Sequence, residues 1–368
     1  MNKKGFLILE DGTVFQGTGF GAEKDVFCEF VFNTGMTGHS GILSDPVNTG
    51  LGIVASFPVV GAWGAEFTGK EKFVGGASAL VCREASFCPP NNVNAQNVSD
   101  FMLSKGITGL QGVDTRELAR KLRDAGGMKG AITFDENPGK ADILAQIKEY
   151  RNGGLVEKVT AKNIEVKSRK AKNIAVLDLG GAKRLSEALR AVDFGVAVYP
   201  AGTAAADILK DKPDGIIITE GPCDPADCAA YIPAVKGLTE SGLPVFGIGL
   251  GHQLMAAAHG FKTVKLAHGH RGANYPVKET ATGKMYITGQ NHGYIVDKGS
   301  VDKAVADIFY INLHDGSVEG LEYKDGLCAS LQFFPDFGEY VLRPNALFAG
   351  FMERISLKDL RKGGQEKK

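Results

Sequence analysis

Long apolar runs are missing from this 368-residue chain. No stretch approaches the roughly 20 residues that cross a bilayer as a helix, so a membrane span is not expected. The first apolar run, Phe6-Leu-Ile-Leu9, is closed at once by Glu10 and Asp11 and is too short for the core of a secretory signal; the expectation is a cytoplasmic protein. An excess of either charge is also missing. Lys plus Arg and Asp plus Glu both total 42, which gives no support to a nucleic-acid or membrane-surface partner. Cysteine is sparse, with six residues at 28, 82, 88, 223, 228 and 328 and no Cys-x-x-Cys pair, so the thiols read as buried and reduced. A metal site is not expected either. His268 and His270 share an i, i+2 spacing on one strand face, but two ligands do not make a site.

What is present fills two ordinary cores, since 43% of the residues are hydrophobic. Phe6 to Phe15 reads as two strands joined at Asp11-Gly12, a strong hairpin signal. Residues 28–39 and 77–82 add strands, and Asp45-Pro46 and Phe57-Pro58 mark turns. Asn97 to Gly106 and Thr115 to Gly126 read as capped helices, each stopped by glycine. Residues 1–136 therefore form a β-rich first domain. Residues 137–172 turn polar and lysine-rich, and are expected to hold a helix and then a solvated linker.

From Asn173 onward, apolar strands alternate with helices: 173–179, 182–191, 196–200, 204–210, 215–219 and 229–241 in turn. That alternation predicts an α/β domain over 173–357 with a doubly wound parallel sheet, followed by a charged tail at 358–368. Ligand sites in such sheets lie at the carboxyl ends of the strands, where Gly221, Gly249 and Asn291 fall. The sharpest motif is Pro244-Val-Phe-Gly-Ile-Gly249-Leu-Gly-His-Gln253, a strand, glycine-rich turn and helix written like a nucleophile elbow. Its central residue is Gly249. A dinucleotide fingerprint is excluded by the glycine spacing and by the lack of an acidic residue about twenty positions later.

The elbow resembles that of class I triad glutamine amidotransferases, whose pattern is Gly-Ile-Cys-Leu-Gly-His-Gln with cysteine as the nucleophile. Within that class, Leu9-Glu-Asp-Gly-Thr13, Val31-Phe-Asn-Thr34, Met36-Thr-Gly38, Ile42-Leu-Ser-Asp-Pro46, Val113-Asp-Thr-Arg116 and Gly130-Ala-Ile132 resemble the N-terminal domain of carbamoyl phosphate synthetase small subunits. The resemblance implies a β-rich small-subunit domain joined to a class I amidotransferase domain. It implies a large partner subunit that holds ATP and magnesium, with no cofactor in this chain.

The same resemblance locates substitutions. Gly249 stands where the family has its cysteine, Phe334 where Gln-x-His-Pro-Glu has its histidine, and Asp336 where it has glutamate. Val47 replaces a serine that contacts glutamine, and Cys223 replaces a glycine of the oxyanion loop, here Glu220-Gly-Pro-Cys-Asp-Pro225. Gly221, Leu250, Gln253, Asn291, Gly293 and Tyr294 match positions around bound glutamine. Cysteine hydrolysis needs a thiolate, a base and a carboxylate, and glycine and phenylalanine supply neither of the first two. Cys223 has no histidine at a matching position to activate it. The expectation is a small subunit inert as a glutaminase that still docks on the large subunit, with glutamine at most a ligand that is not hydrolysed. The alternative is a scaffold or regulatory pseudo-amidotransferase with a different partner.

Overall fold

A computed structural model describes residues 3–65, 74–88, 96–135, 139–335 and 346–362. The chain divides into two compact units, one of residues 1–155 with 265–273, the other of 156–264 with 274–368.

In the first unit, β1 (Lys4–Leu9) and β2 (Val14–Gly21) pair as the antiparallel hairpin that Asp11-Gly12 predicts, with Gly12 at φ 84°. They are followed by β3 (Val26–Asn33), α1 (His39–Ser44), β4 (Leu51–Ala55) and β5 (Val59–Val60). Next come β6 (Ala79–Val81), β7 (Glu84–Ala85), α2 (Val98–Lys105), β8 (Thr108–Gln111), α3 (Thr115–Ala125), β9 (Met128–Thr133) and α4 (Lys140–Glu149). Seven strands close into a barrel in the order β1-β2-β8-β6-β4-β3-β9, while β5 and β7 pair separately. Alternate residues feed different cores. Phe30 and Val54 pack with Leu118 and Leu122 of α3, whereas Val31 and Ile53 pack with Phe101 and Met102 of α2. Both helices are capped as their sequences direct. The Asn97 side chain accepts from Asp100 N at 2.9 Å and the Asp114 side chain from Arg116 N and Glu117 N, while Gly106 and Gly126 end the helices at φ 68° and 74°.

The expected linker is structured. Residues 137–172 contain α4, α5 (Leu155–Val159) and a strand, β10 (Glu165–Ser168), that pairs antiparallel with β12 (Gly195–Pro200). Glu165, Val166 and Lys167 are all exposed, so this edge strand lacks the one-sided apolar alternation by which strands are recognised.

The second unit continues with β11 (Asn173–Asp178), α6 (Ala182–Ala191), β12, α7 (Ala205–Lys210), β13 (Gly215–Ile218), α8 (Ile232–Thr239), β14 (Val245–Ile248) and α9 (Leu250–Ala258). After these come β15 (Thr263–Glu279), β16 (Met285–Val296), β17 (Ala306–Asn312), β18 (Val318–Tyr323), β19 (Cys328–Leu331) and α10 (Ala346–Lys362). Its ten-stranded sheet runs β10-β12-β11-β13-β14-β19-β18-β17-β15-β16. The stretch from β12 to β19 is parallel, as the apolar density predicts, and β18, β17 and β15 extend it antiparallel. In β11, Ala175 and Leu177 join a core with α7, α8 and α9, while Ile174 and Val176 join one with α6 and α10, so helices cover both faces. Residues 358–362, expected in a tail, belong to α10.

Candidate functional site

Four neighbouring parallel strands end at one edge of the second sheet and deliver the site. Gly180 follows β11, Glu220 follows β13, Gly249 follows β14 and Phe334 follows β19. Thr219 ties these ends together. Its hydroxyl accepts from Leu179 N at 2.8 Å and Gly181 N at 3.3 Å and donates to Glu220 O at 3.0 Å. Asp178 caps the start of α6, accepting from Gly180 N at 2.8 Å and Ala182 N at 3.1 Å. Burial raises the Asp178 carboxyl above its ordinary range even against these donors.

The elbow is real backbone geometry. Gly249 has φ 56° and ψ −111°, donates its N–H to Leu331 O at 2.8 Å, and opens α9 directly. Its glycine neighbours are fixed by packing: a Cβ at Gly247 would lie 2.6 Å from Met255 Sδ, and one at Gly251 would lie 2.3 Å from Ile218 O. A Cβ at Gly249 itself would meet Glu220 Cβ at 2.9 Å. A side chain at 249 would thus begin against Glu220.

Phe334 is half-buried against the core shared with α6 and α10, and its ring is covered by Arg184 of α6, with the guanidinium carbon 4.0 Å from the ring centre. Asp336 lies outside the described residues. Leu250 is buried, and Gln253 turns inward, donating to Tyr294 O at 2.8 Å and Gln332 Oε1 at 2.9 Å. Asn291, Gly293 and Tyr294 are half-buried on β16. Gly221 is held to glycine because a Cβ would lie 2.3 Å from Leu179 O. Val47 belongs to the first unit, in a single turn over Pro46–Asn48 capped by Asp45. His268 is exposed with Nδ1 2.6 Å from Arg123 O, and His270 is buried.

Cys223 corrects the expectation of six buried thiols. It forms a disulfide with Cys228, and Cys88 is exposed, leaving Cys28, Cys82 and Cys328 buried. The turn that brings the pair together is local: Asp224 caps the short 3₁₀ segment Pro225–Tyr231, so the chain doubles back within five residues. Cys223 also has φ 145°, a conformation natural to the glycine of the family's loop. The backbone at 223 has a shape that glycine adopts freely, and the Cys223 sulfur is bonded to Cys228, away from any nucleophilic role.

Two features were not singled out from the sequence. Arg184 sits in an ordinary helix-like segment with nothing to mark it. His252 follows the elbow, fully buried, with Nδ1 2.8 Å from Ser330 Oγ; burial pushes its imidazole down to about 3. No periodicity marks it, since Leu250 through Ala256 are all buried.

Comparison with known proteins agrees with this geometry. Residues 7–132 match the family model "Carbamoyl-phosphate synthase small chain, CPSase domain", and residues 175–354 match "Glutamine amidotransferase class-I". A carbamoyl phosphate synthase small chain of Bacillus thuringiensis is 37% identical over 360 residues, covering 98% of both chains. A carbamoyl phosphate synthase pyrimidine-specific small chain of Bacillus subtilis is 37% identical over 353 residues, covering 95% of each. Among solved structures, a glutamine amidotransferase of Thermotoga maritima aligns with 53% of this chain and 85% of its own at 15% identity and a TM-score of 0.36. With both domain models in order and relatives matched nearly end to end, the chain belongs to the carbamoyl phosphate synthase small chain family.

Proposed function

We propose that this chain is a carbamoyl phosphate synthase small chain that does not hydrolyse glutamine and that supports a large, ATP-using subunit fed with free ammonia. The observation that carries the reading is Gly249 at the elbow, with Glu220 Cβ 2.9 Å from where a side chain would begin. Acyl transfer from glutamine requires a sulfur to attack the carboxamide and an imidazole to move its proton. Gly249 offers hydrogen, and Phe334 offers a ring covered by Arg184. Losing nucleophile and base together costs about 10⁶-fold in comparable triads, which puts hydrolysis at background. The disulfide with Cys228 takes the thiol of Cys223, on the loop after β13, out of play.

The test is glutamate release from glutamine, with and without the large subunit, against a boiled control. No release above the control is expected, together with carbamoyl phosphate synthesis by the complex on ammonium but not on glutamine. Glutamine hydrolysis by the purified chain would overturn the reading.

A further inference from the structure

The first unit gathers positive charge around one cleft. On α3, Arg116, Arg120 and Arg123 recur at i, i+4 and i+7 and share one face of the helix. Like charges four apart oppose a helix, and Arg116 in the first turn also opposes the helix dipole. Arg83, just beyond β6, joins them around a cleft of about 450 Å³ whose walls include Phe32 and Pro58. Among the described residues, Arg83, Arg116 and Arg120 make no ion pair, and Arg123 pairs only with its exposed neighbour Asp124 at 2.9 Å. Asp114 is the carboxylate in the lining, and it is occupied in capping α3. The chain as a whole has zero formal net charge, so this clustering is not a by-product of a basic composition.

We propose that the cleft is a docking seat for an acidic segment of the large subunit, one that presents two or three carboxylates beside an apolar side chain. The inference rests on the small-chain reading and adds the place and chemistry of contact. Guanidinium forks match carboxylates in paired hydrogen bonds, and Phe32 and Pro58 offer apolar surface for the residue between them. Arginine is among the residues that dominate interface energetics. The walls favour a polypeptide over a small anion. Small-ligand sites enclose most of their ligand, whereas Arg83, Arg116, Arg120, Arg123 and Pro58 are all exposed here.

The experiment is co-expression with the large synthetase subunit of the same organism, followed by affinity measurement at rising salt for the wild-type chain, Arg116→Glu/Arg120→Glu and Arg116→Gln/Arg120→Gln. The wild-type complex should weaken with salt, and charge reversal should weaken it by about 100-fold with an unchanged melting temperature. The glutamine pair should weaken it by about 10-fold, which keeps the test valid if the reversed variant misfolds. Variants that bind as tightly as wild type would overturn the docking seat and leave the small-chain reading standing. A wild-type chain that binds no large subunit would overturn that reading, and the seat with it. Stabilisation of the wild-type chain by inorganic tripolyphosphate, lost in the variants while the complex is unaffected, would make the cleft a small-anion site and overturn the proposal.

Discussion

Gly249 concentrates the residue-scale argument. Its positive φ suits glycine, and a Cβ added there would press on Glu220 Cβ rather than on a flexible side-chain end. Gly249→Cys is therefore expected to lower stability by about 1–3 kcal/mol, read as a drop in melting temperature. It should release no glutamate while Phe334 stays, because a thiol without a base remains largely protonated. His252 gives a pH signature. In the folded chain its imidazole stays neutral down to about 3, whereas the unfolded chain takes up the proton near the ordinary value of 6.5. Protons then bind the unfolded state preferentially below that ordinary value, and stability falls on acidification through this window. The loss reaches about 2 kcal/mol by a pH of about 5, and His252→Asn should flatten the dependence of melting temperature on pH across that range. An equal slope in wild type and variant would place the acid sensitivity elsewhere.

At the scale of elements, β14 and α9 form a unit whose tightness depends on two glycines. Ile218 O lies 2.3 Å from where a Gly251 Cβ would sit, and Gly251 N already donates to Thr219 O at 3.1 Å, so the helix start cannot draw back without losing that bond. Gly251→Ala is expected to destabilise the chain by about 2–3 kcal/mol in denaturant titration. These glycines would be needed whatever residue stood at 249. Helix-on-strand packing therefore preserves the turn independently of whether the residue at 249 can act as a nucleophile. Helix α3 shows the converse, with Leu118 and Leu122 satisfying the barrel core while Arg116, Arg120 and Arg123 are exposed on its other face.

For the whole molecule, the cysteines give a direct check. Without reductant, the unfolded chain should show four titratable thiols, those of Cys28, Cys82, Cys88 and Cys328, and six after reduction. In the folded chain only exposed Cys88 should react promptly. Burial raises the thiol of Cys82 to about 12 and those of Cys28 and Cys328 further, so they lack both access and thiolate. Six thiols without reductant would overturn the pairing of Cys223 with Cys228. The relationship to the small chain family extends over 98% of the sequence at 37% identity, so both units belong to one family framework.

Much of this molecule is written locally in its sequence. Asp11-Gly12 sets a hairpin, Asn97 and Asp114 start helices that Gly106 and Gly126 stop, and the apolar runs from Asn173 onward make a buried sheet, because each depends on neighbours a few residues away. That residues 249 and 334 are glycine and phenylalanine, without a nucleophile or a base, was equally legible, since it is a fact of composition at a position. Closure of the first barrel, the exposed strand β10 and the disulfide across Asp224 were not legible, because they depend on pairings and backbone turns that no periodicity records. Nor were the contacts at the strand ends. That Glu220 crowds Gly249 and that Arg184 covers Phe334 follows from four parallel strands ending side by side, a juxtaposition of residues far apart in sequence that only the folded sheet creates.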